Sequence, residues 1–226
     1  MSGASFRALA REAAARYPAR DRYARRFAYG KLAGDPVFEH IVSSRLIASN
    51  ARILDLGCGQ GLVGALLAAG GRHGEAFYRG IDRAERDIER ARIAAGPNAE
   101  LVVADVRSAH LGTADVVILL DVLHYIQPAE QVDLLKRARA ALAPGGSILM
   151  RVADASGGLR FRVTEAIDLA ATRLRGHRIA RLYNLPLAER KVQLEREGLR
   201  VDCMPMSAGT PFANVLLTAR YDSSNP

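Results

Sequence analysis

The chain has 226 residues, 49% of them hydrophobic, with 32 Lys and Arg against 24 Asp and Glu, for a formal net charge of +8. That length and composition fit one globular domain with a sizeable core, or one domain with a small cap, and exclude an intrinsically disordered chain. No apolar run is long enough for a membrane span, and the excess charge is almost all arginine beside abundant alanine, which is weak grounds for nucleic-acid binding.

Residues 5–29 read as amphipathic helix, with Phe6, Leu9, Ala10 and Ala13 at helical spacing and Arg7, Arg11 and Arg16 beside them. Pro18 breaks this helix or starts the next. A second basic stretch (Arg20, Arg22, Arg25, Arg26, Lys31) is interleaved with Tyr17, Tyr23, Phe27 and Tyr29. It reads either as a solvated face with aromatics packed beneath or as a lid over a ligand. Met1 to Tyr29 lacks the continuous apolar core of a signal peptide. Gly34-Asp35-Pro36 signals a turn, and Val37 to Ala48 a helix with Phe38, Ile41, Val42 and Leu46 on one face.

The most informative stretch is Arg52-Ile53-Leu54-Asp55-Leu56-Gly57-Cys58-Gly59-Gln60-Gly61, followed by an apolar helix that ends at Gly70-Gly71. A buried strand, a glycine turn and a crossover helix open a βαβ unit. Glycine at 57, 59 and 61 permits a sharp bend and close approach of a ligand. The spacing is G-x-G-x-G rather than the G-x-G-x-x-G of dinucleotide sites. Asp55, two residues before the first glycine, would repel a phosphate and suits a ligand with a cationic end.

Further strands follow at Phe77–Asp82, at Glu100–Val106 and at Ala114–Asp121, the last an apolar run fit for burial on both faces. Asp82 lies about 20 residues past the turn, where an acid accepts from ribose hydroxyls; the alternative is an N-cap for a helix over Ala84–Ala95. Asp105 forms the acidic end of the third strand; the alternative role for it is a turn-forming carboxylate. Pro128 to Leu142 has helical spacing at Val132, Leu135 and Leu142, and Pro144-Gly145-Gly146 precedes a fifth strand, Ser147 to Val152. This alternation predicts a doubly wound α/β sheet. Beyond it come a glycine loop at 154–158, a basic amphipathic segment from Leu159 to Arg175 and a helix from Leu187 to Glu197. Two strands, Val201 to Met206 and Asn214 to Tyr221, close the chain.

The D-L-G-C-G-x-G stretch resembles the first motif of class I S-adenosylmethionine-dependent methyltransferases. The resemblance covers residues 52–152. It implies a Rossmann-like seven-stranded sheet with the last strand antiparallel, an N-terminal helical cap or lid over residues 1–49, and a methyltransferase domain over 50–226 with a helical insertion at about 154–185. It implies S-adenosyl-L-methionine as cofactor. Asp55 would help hold its ammonium group, Gly57, Cys58, Gly59 and Gly61 would wrap its methionyl and ribose parts, and Asp82 would take the ribose. Arg83 would lie along the adenosine, Asp105 would accept from the adenine amino group, and the backbone N–H of Val106 would meet the ring. Asp121 completes the cofactor set.

Asp121-Val122-Leu123-His124-Tyr125-Ile126 resembles the D-V-L-H stretch of small-molecule methyltransferases. His124 is the candidate general base and Tyr125 a candidate for orienting the acceptor. The Asn-Pro-Pro-Tyr-type signature of amino-group methyltransferases is absent. More loosely, the layout is similar to methyltransferases of bacterial aryl-polyene and polyketide-like pigment pathways. That implies a phenolic or acyl acceptor, free or on an acidic carrier protein, in a pocket walled by aromatics with Leu159, Phe161, Pro211 and Phe212. An RNA methyltransferase and a non-catalytic cofactor-binding subunit are the rival readings. No His/Cys/acid cluster has metal-ligand spacing. Cys58 and Cys203 are the two cysteines and are expected to be free thiols in a reducing cytosol, in a monomer or homodimer.

Overall fold

The computed structural model describes residues 3–44, 46–71, 77–156, 158, 161–167 and 182–221. The chain divides into two compact units, residues 1–118 and residues 119–226.

The first unit opens with three helices, α1 (Gly3–Ala15), α2 (Arg22–Gly34) and α3 (Pro36–Ser43). α1 buries Phe6, Ala10, Ala13 and Ala14, a stripe at helical spacing, and the small side chains let α2 and α4 (Leu62–Ala69) approach. α2 starts at Arg22, not at Pro18, because the Asp21 carboxylate accepts from Ala24 N–H at 2.9 Å and caps it. Asp35 ends α2 and caps α3 through Val37 N–H, with Pro36 in the first turn where no N–H is needed. α3 is shorter than the expected Val37–Ala48. It stops at Ser43, and Ser44 closes it by donating its backbone N–H and its hydroxyl to His40 O, which leaves Leu46 outside.

Three parallel strands follow with their crossovers: β1 (Arg52–Leu56), β2 (Phe77–Asp82) after α4, and β3 (Ala99–Val103) after α5 (Glu85–Ala95). β4 (Ala114–Leu120) pairs parallel to β1, with Asp55 opposite Ile118. β3 ends at Val103 rather than Val106, since the chain there turns on Asp105.

The second unit carries a short 3-10 turn at Leu123–Tyr125, α6 (Pro128–Ala140), β5 (Leu142–Ala153), α7 (Leu187–Arg196), β6 (Leu199–Pro205) and β7 (Asn214–Tyr221). α6 buries Gln131, Leu134, Leu135 and Ala138. Val132, expected inside, is exposed, and Leu142 belongs to the strand. β5 begins at Leu142, five residues before the expected Ser147; its pairing with β7 starts at Ser147. β7 runs antiparallel to both β5 and β6. Residues 161–167 are helical; the remainder of the expected basic segment, and Leu159 with it, lies outside the described residues.

The strand order is β3-β2-β1-β4-β5-β7-β6 in one seven-stranded sheet, the doubly wound Rossmann-like arrangement the sequence predicts. The order reverses between β1 and β4, and in such sheets ligands bind beyond the carboxyl ends of the strands at the reversal.

Candidate active site

In the first unit the site is built on the turn after β1. Gly57, Gly59 and Gly61 take φ of 72°, 52° and 70°, the left-handed region that a Cβ disfavours. The turn is pinned from several sides. Gly57 and Cys58 donate backbone N–H bonds to Ile81 O at 2.7 and 3.2 Å. Gly59 N–H donates to the Asp82 carboxylate at 2.8 Å. Tyr17, buried at the end of the α1 segment, donates its hydroxyl to Gln60 O at 2.8 Å. The N-terminal helices are therefore bound to the glycine turn itself. Its basic residues are partly spent on this packing: Arg16 donates to Ala94 O, and Arg25 to Tyr17 O and Ala15 O. Tyr23 stacks with Phe27 and stays exposed beneath the Arg90 guanidinium.

Asp55 is 3% exposed. Its carboxylate accepts from the buried Tyr78 hydroxyl at 2.7 Å. Burial pushes its pKa up to about 7; the Tyr78 bond lowers it and the Asp82 charge raises it. Asp82 holds the backbone at two points and does not cap α5. One oxygen takes Gly59 N–H; the other takes Ala84 N–H at 2.9 Å, in the turn that leads into α5. α5 itself starts at Glu85, one residue later than expected, with Ala84 at its N-cap. Asp105 forms a turn: Arg107 donates its backbone N–H and its guanidinium to the carboxylate, at 2.6 to 3.0 Å. The Arg107 bond holds Asp105 below the usual carboxylate range, and the exposed Arg83 adds to this. Val106 is buried beside it. The turn-forming alternative for Asp105 is thus seen directly. An adenine contact would share its oxygens with Arg107, which a carboxylate with about four acceptor sites permits.

The donor set suits a cationic ligand. Two carboxylates flank the turn, and Gln60 Oε1 is buried and accepts no hydrogen bond among the described residues. A Cβ on Gly59 would meet nothing within 4 Å, so the backbone there is open to an approaching group. These features fit S-adenosylmethionine, with its ammonium and sulfonium charges, better than a phosphate.

In the second unit Asp121 is, among the described residues, the one non-glycine with positive φ, 58°. Its carboxylate pairs with Arg151, which is 1% exposed, through Nε at 2.7 Å and through Nη2. The bidentate pair offsets the strain of the left-handed backbone. His124 is buried, in edge contact with the half-exposed Tyr125 ring at 4.0 Å. Gln131 fixes the turn that carries them, its amide donating to Leu123 O, Ile126 O and Tyr183 O. Tyr183 N–H donates to His124 O at 2.8 Å. A small pocket opens here, lined by Leu123, His124, Arg151, Tyr183, Asn184 and Arg190 among others; Phe161, Pro211 and Phe212, expected to wall an acceptor pocket, are not in its lining. Sequence reasoning did not single out Arg151, Gln131 or Arg190. An arginine within an apolar strand (Arg151) was the one available signal.

Residues 53–146 match the family model described as a methyltransferase domain. That stretch is therefore similar to a methyltransferase domain, and the sheet has the order of the class I, Rossmann-like methyltransferase fold. Among similar sequences is the carboxy-S-adenosyl-L-methionine synthase of Salmonella paratyphi B, 28% identical over 115 residues, which are 49% of this chain. The match takes in 47% of that protein, so the chain spans about half the length of the curated relatives it matches. Similar solved structures include magnesium protoporphyrin IX methyltransferase from Synechocystis with S-adenosylhomocysteine bound, with TM-score 0.61, 20% identity, and coverage of 83% of this chain and 80% of that one. A Mesorhizobium loti S-adenosylmethionine-dependent methyltransferase gives TM-score 0.62 at 21% identity, with 83% and 98% covered. The pyocyanin biosynthetic protein PhzM gives 0.64 at 23%, with 90% and 60% covered.

Among the described residues no group of three or more His, Cys, Asp or Glu side chains is placed to hold a metal ion. No helix there is long and apolar enough to cross a membrane. Cys58 is buried and Cys203 exposed, both as free thiols.

Proposed function

We propose that the protein transfers a methyl group from S-adenosylmethionine to a small aromatic (phenolic) or acyl acceptor, free or on a carrier protein. The observation that carries this is the acid-flanked glycine turn after β1, with three left-handed glycines and the buried orphan acceptor on Gln60. Asp55, Gly57, Cys58, Gly59, Gly61 and Asp82 would hold the methionyl and ribose parts, and Arg83, Asp105 and Val106 the adenine end. Asp121, locked by Arg151, shapes the end of β4. S-adenosylmethionine, when bound, supplies an electrophilic methyl on a sulfonium. The chain's own part is to align the nucleophile and exclude water. His124, held by the Gln131 network, takes the acceptor proton, and Tyr125 orients the acceptor.

The spending of Arg16 and Arg25 on internal carbonyls favours a small acceptor over RNA. Calorimetry with S-adenosylmethionine and S-adenosylhomocysteine tests the first step; micromolar binding is expected, and no heat with either refutes it. Labelled cofactor against carrier-loaded aromatic acids, free phenols and total RNA tests the second. Mass spectrometry of both products then separates methyl transfer from modification of the cofactor, the activity named for the Salmonella relative.

A further inference from the structure

Arg190 on α7 is 2% exposed. Its Nη1 donates to Gln193 Oε1 at 2.7 Å and its Nη2 to Gln131 Oε1. Both partners are neutral. A guanidinium has five N–H donors, and these bonds use two of them. Arg190 makes no ion pair with any described residue, and among the described residues the carboxylate whose charge it feels is that of its exposed neighbour Glu189. Burial correspondingly draws its pKa down to about 10. A buried cation without a counter-ion is costly, so such groups are paired or serve a ligand. The other cation of the same pocket, Arg151, is already neutralised by Asp121. Among the described residues the pocket therefore presents one uncompensated positive charge, with apolar walls at Leu123, Val152 and Leu185 and with His124 beside it.

We propose that Arg190 binds the carboxylate of the acceptor, so that the substrate is a free aromatic or acyl acid and not a carrier-bound thioester. One unit of charge matches a monoanion, and a planar fork with spare donors matches two carboxylate oxygens. A phosphate dianion would leave a negative charge buried. The inference rests on the proposed small-molecule methyl transfer and narrows its acceptor.

The test is calorimetry on the full chain with S-adenosylhomocysteine present, titrating benzoate, 4-hydroxybenzoate, phenylacetate and hexanoate, the amide of each, and inorganic phosphate. At least one acid should bind tenfold or more tightly than its amide and than phosphate. Arg190→Gln should abolish that preference and Arg190→Lys restore part of it, with S-adenosylhomocysteine affinity within twofold of the parent. Acids and amides that bind equally, no acid binding, or phosphate binding most tightly would each overturn the proposal. The acid–amide comparison on the parent chain decides the matter even if Arg190→Gln fails to fold. Failure of S-adenosylhomocysteine to bind would instead remove the cofactor reading beneath it.

Discussion

The hydroxyl of Tyr78, buried in β2, donates to the carboxylate of Asp55 in β1 at 2.7 Å, at a position where neither side chain reaches bulk water. The pair sets a pH dependence. Asp55 has a native pKa of about 7 against an ordinary value near 4, so the fold favours the neutral acid. Below pH 4 both folded and unfolded chains carry the proton. As pH rises from about 4 to about 7 the unfolded chain loses it first, and stability falls by on the order of 4 kcal/mol. Urea titrations at pH 5 and pH 8 should show this loss, and Asp55→Asn should flatten it. Tyr78→Phe removes a bond that lowers the pKa, so it should cost more at pH 8 than at pH 5, by about 1–3 kcal/mol.

The same carboxyl gives a signature for the ligand. If a cationic ammonium settles near Asp55, the ionised form is favoured and the proton leaves on binding. Calorimetry of S-adenosylhomocysteine at pH 6, in buffers of different ionisation enthalpy, should report net proton release in the parent and none in Asp55→Asn. Equal heats across buffers in the parent would place the ammonium elsewhere.

Gly59 and Gly61 separate conformational strain from ligand contact. At Gly61, φ is +70° and an added Cβ would lie 2.8 Å from Ala91 Cβ, against a helix that cannot easily give. Gly61→Ala should lose about 2–4 kcal/mol, from left-handed strain plus overpacking. At Gly59, φ is +52° but the space is open. Gly59→Ala should cost about 1–2 kcal/mol of stability, with a larger proportional loss of cofactor affinity. Denaturation and calorimetry on both variants check the contrast.

Asp82 accepts two structural bonds, from Gly59 N–H and Ala84 N–H, besides any it accepts from a ribose. Asp82→Ala should therefore destabilise the ligand-free chain by about 1–3 kcal/mol and also weaken cofactor binding. Loss of affinity with unchanged stability would mean the two backbone bonds are dispensable.

The apolar runs and glycine turns made the sheet readable from sequence, because a buried parallel strand leaves a continuous hydrophobic run and β2 lies where that pattern puts it. Ends were less legible. Asp21 displaced the start of α2, and β3 ended at Val103, three residues short of its expected end, where the chain turns on Asp105. In both places a side chain competed with the backbone for its donors. Arg151 and Arg190 were not legible as site residues, since a buried arginine is defined by partners distant in sequence, 30 residues away for Asp121 and 59 for Gln131.

His124 is the last group whose role a measurement can decide. It is buried, its own carbonyl is held by Tyr183 N–H, and the carbonyls of Leu123 and Ile126 on either side are held by Gln131. The imidazole is thus presented from a fixed backbone, as a base needs to be. If proton removal is part of the slow step, His124→Gln should lower turnover by roughly 10²–10⁴-fold with cofactor affinity nearly unchanged. The limb of the pH–rate profile that reports the base should also disappear, because the group that takes the acceptor proton is gone. With a phenol acceptor that ionises by itself, the loss should shrink as pH approaches the phenol pKa. Turnover equal to the parent at every pH would assign His124 to packing, and alignment alone would then carry the reaction.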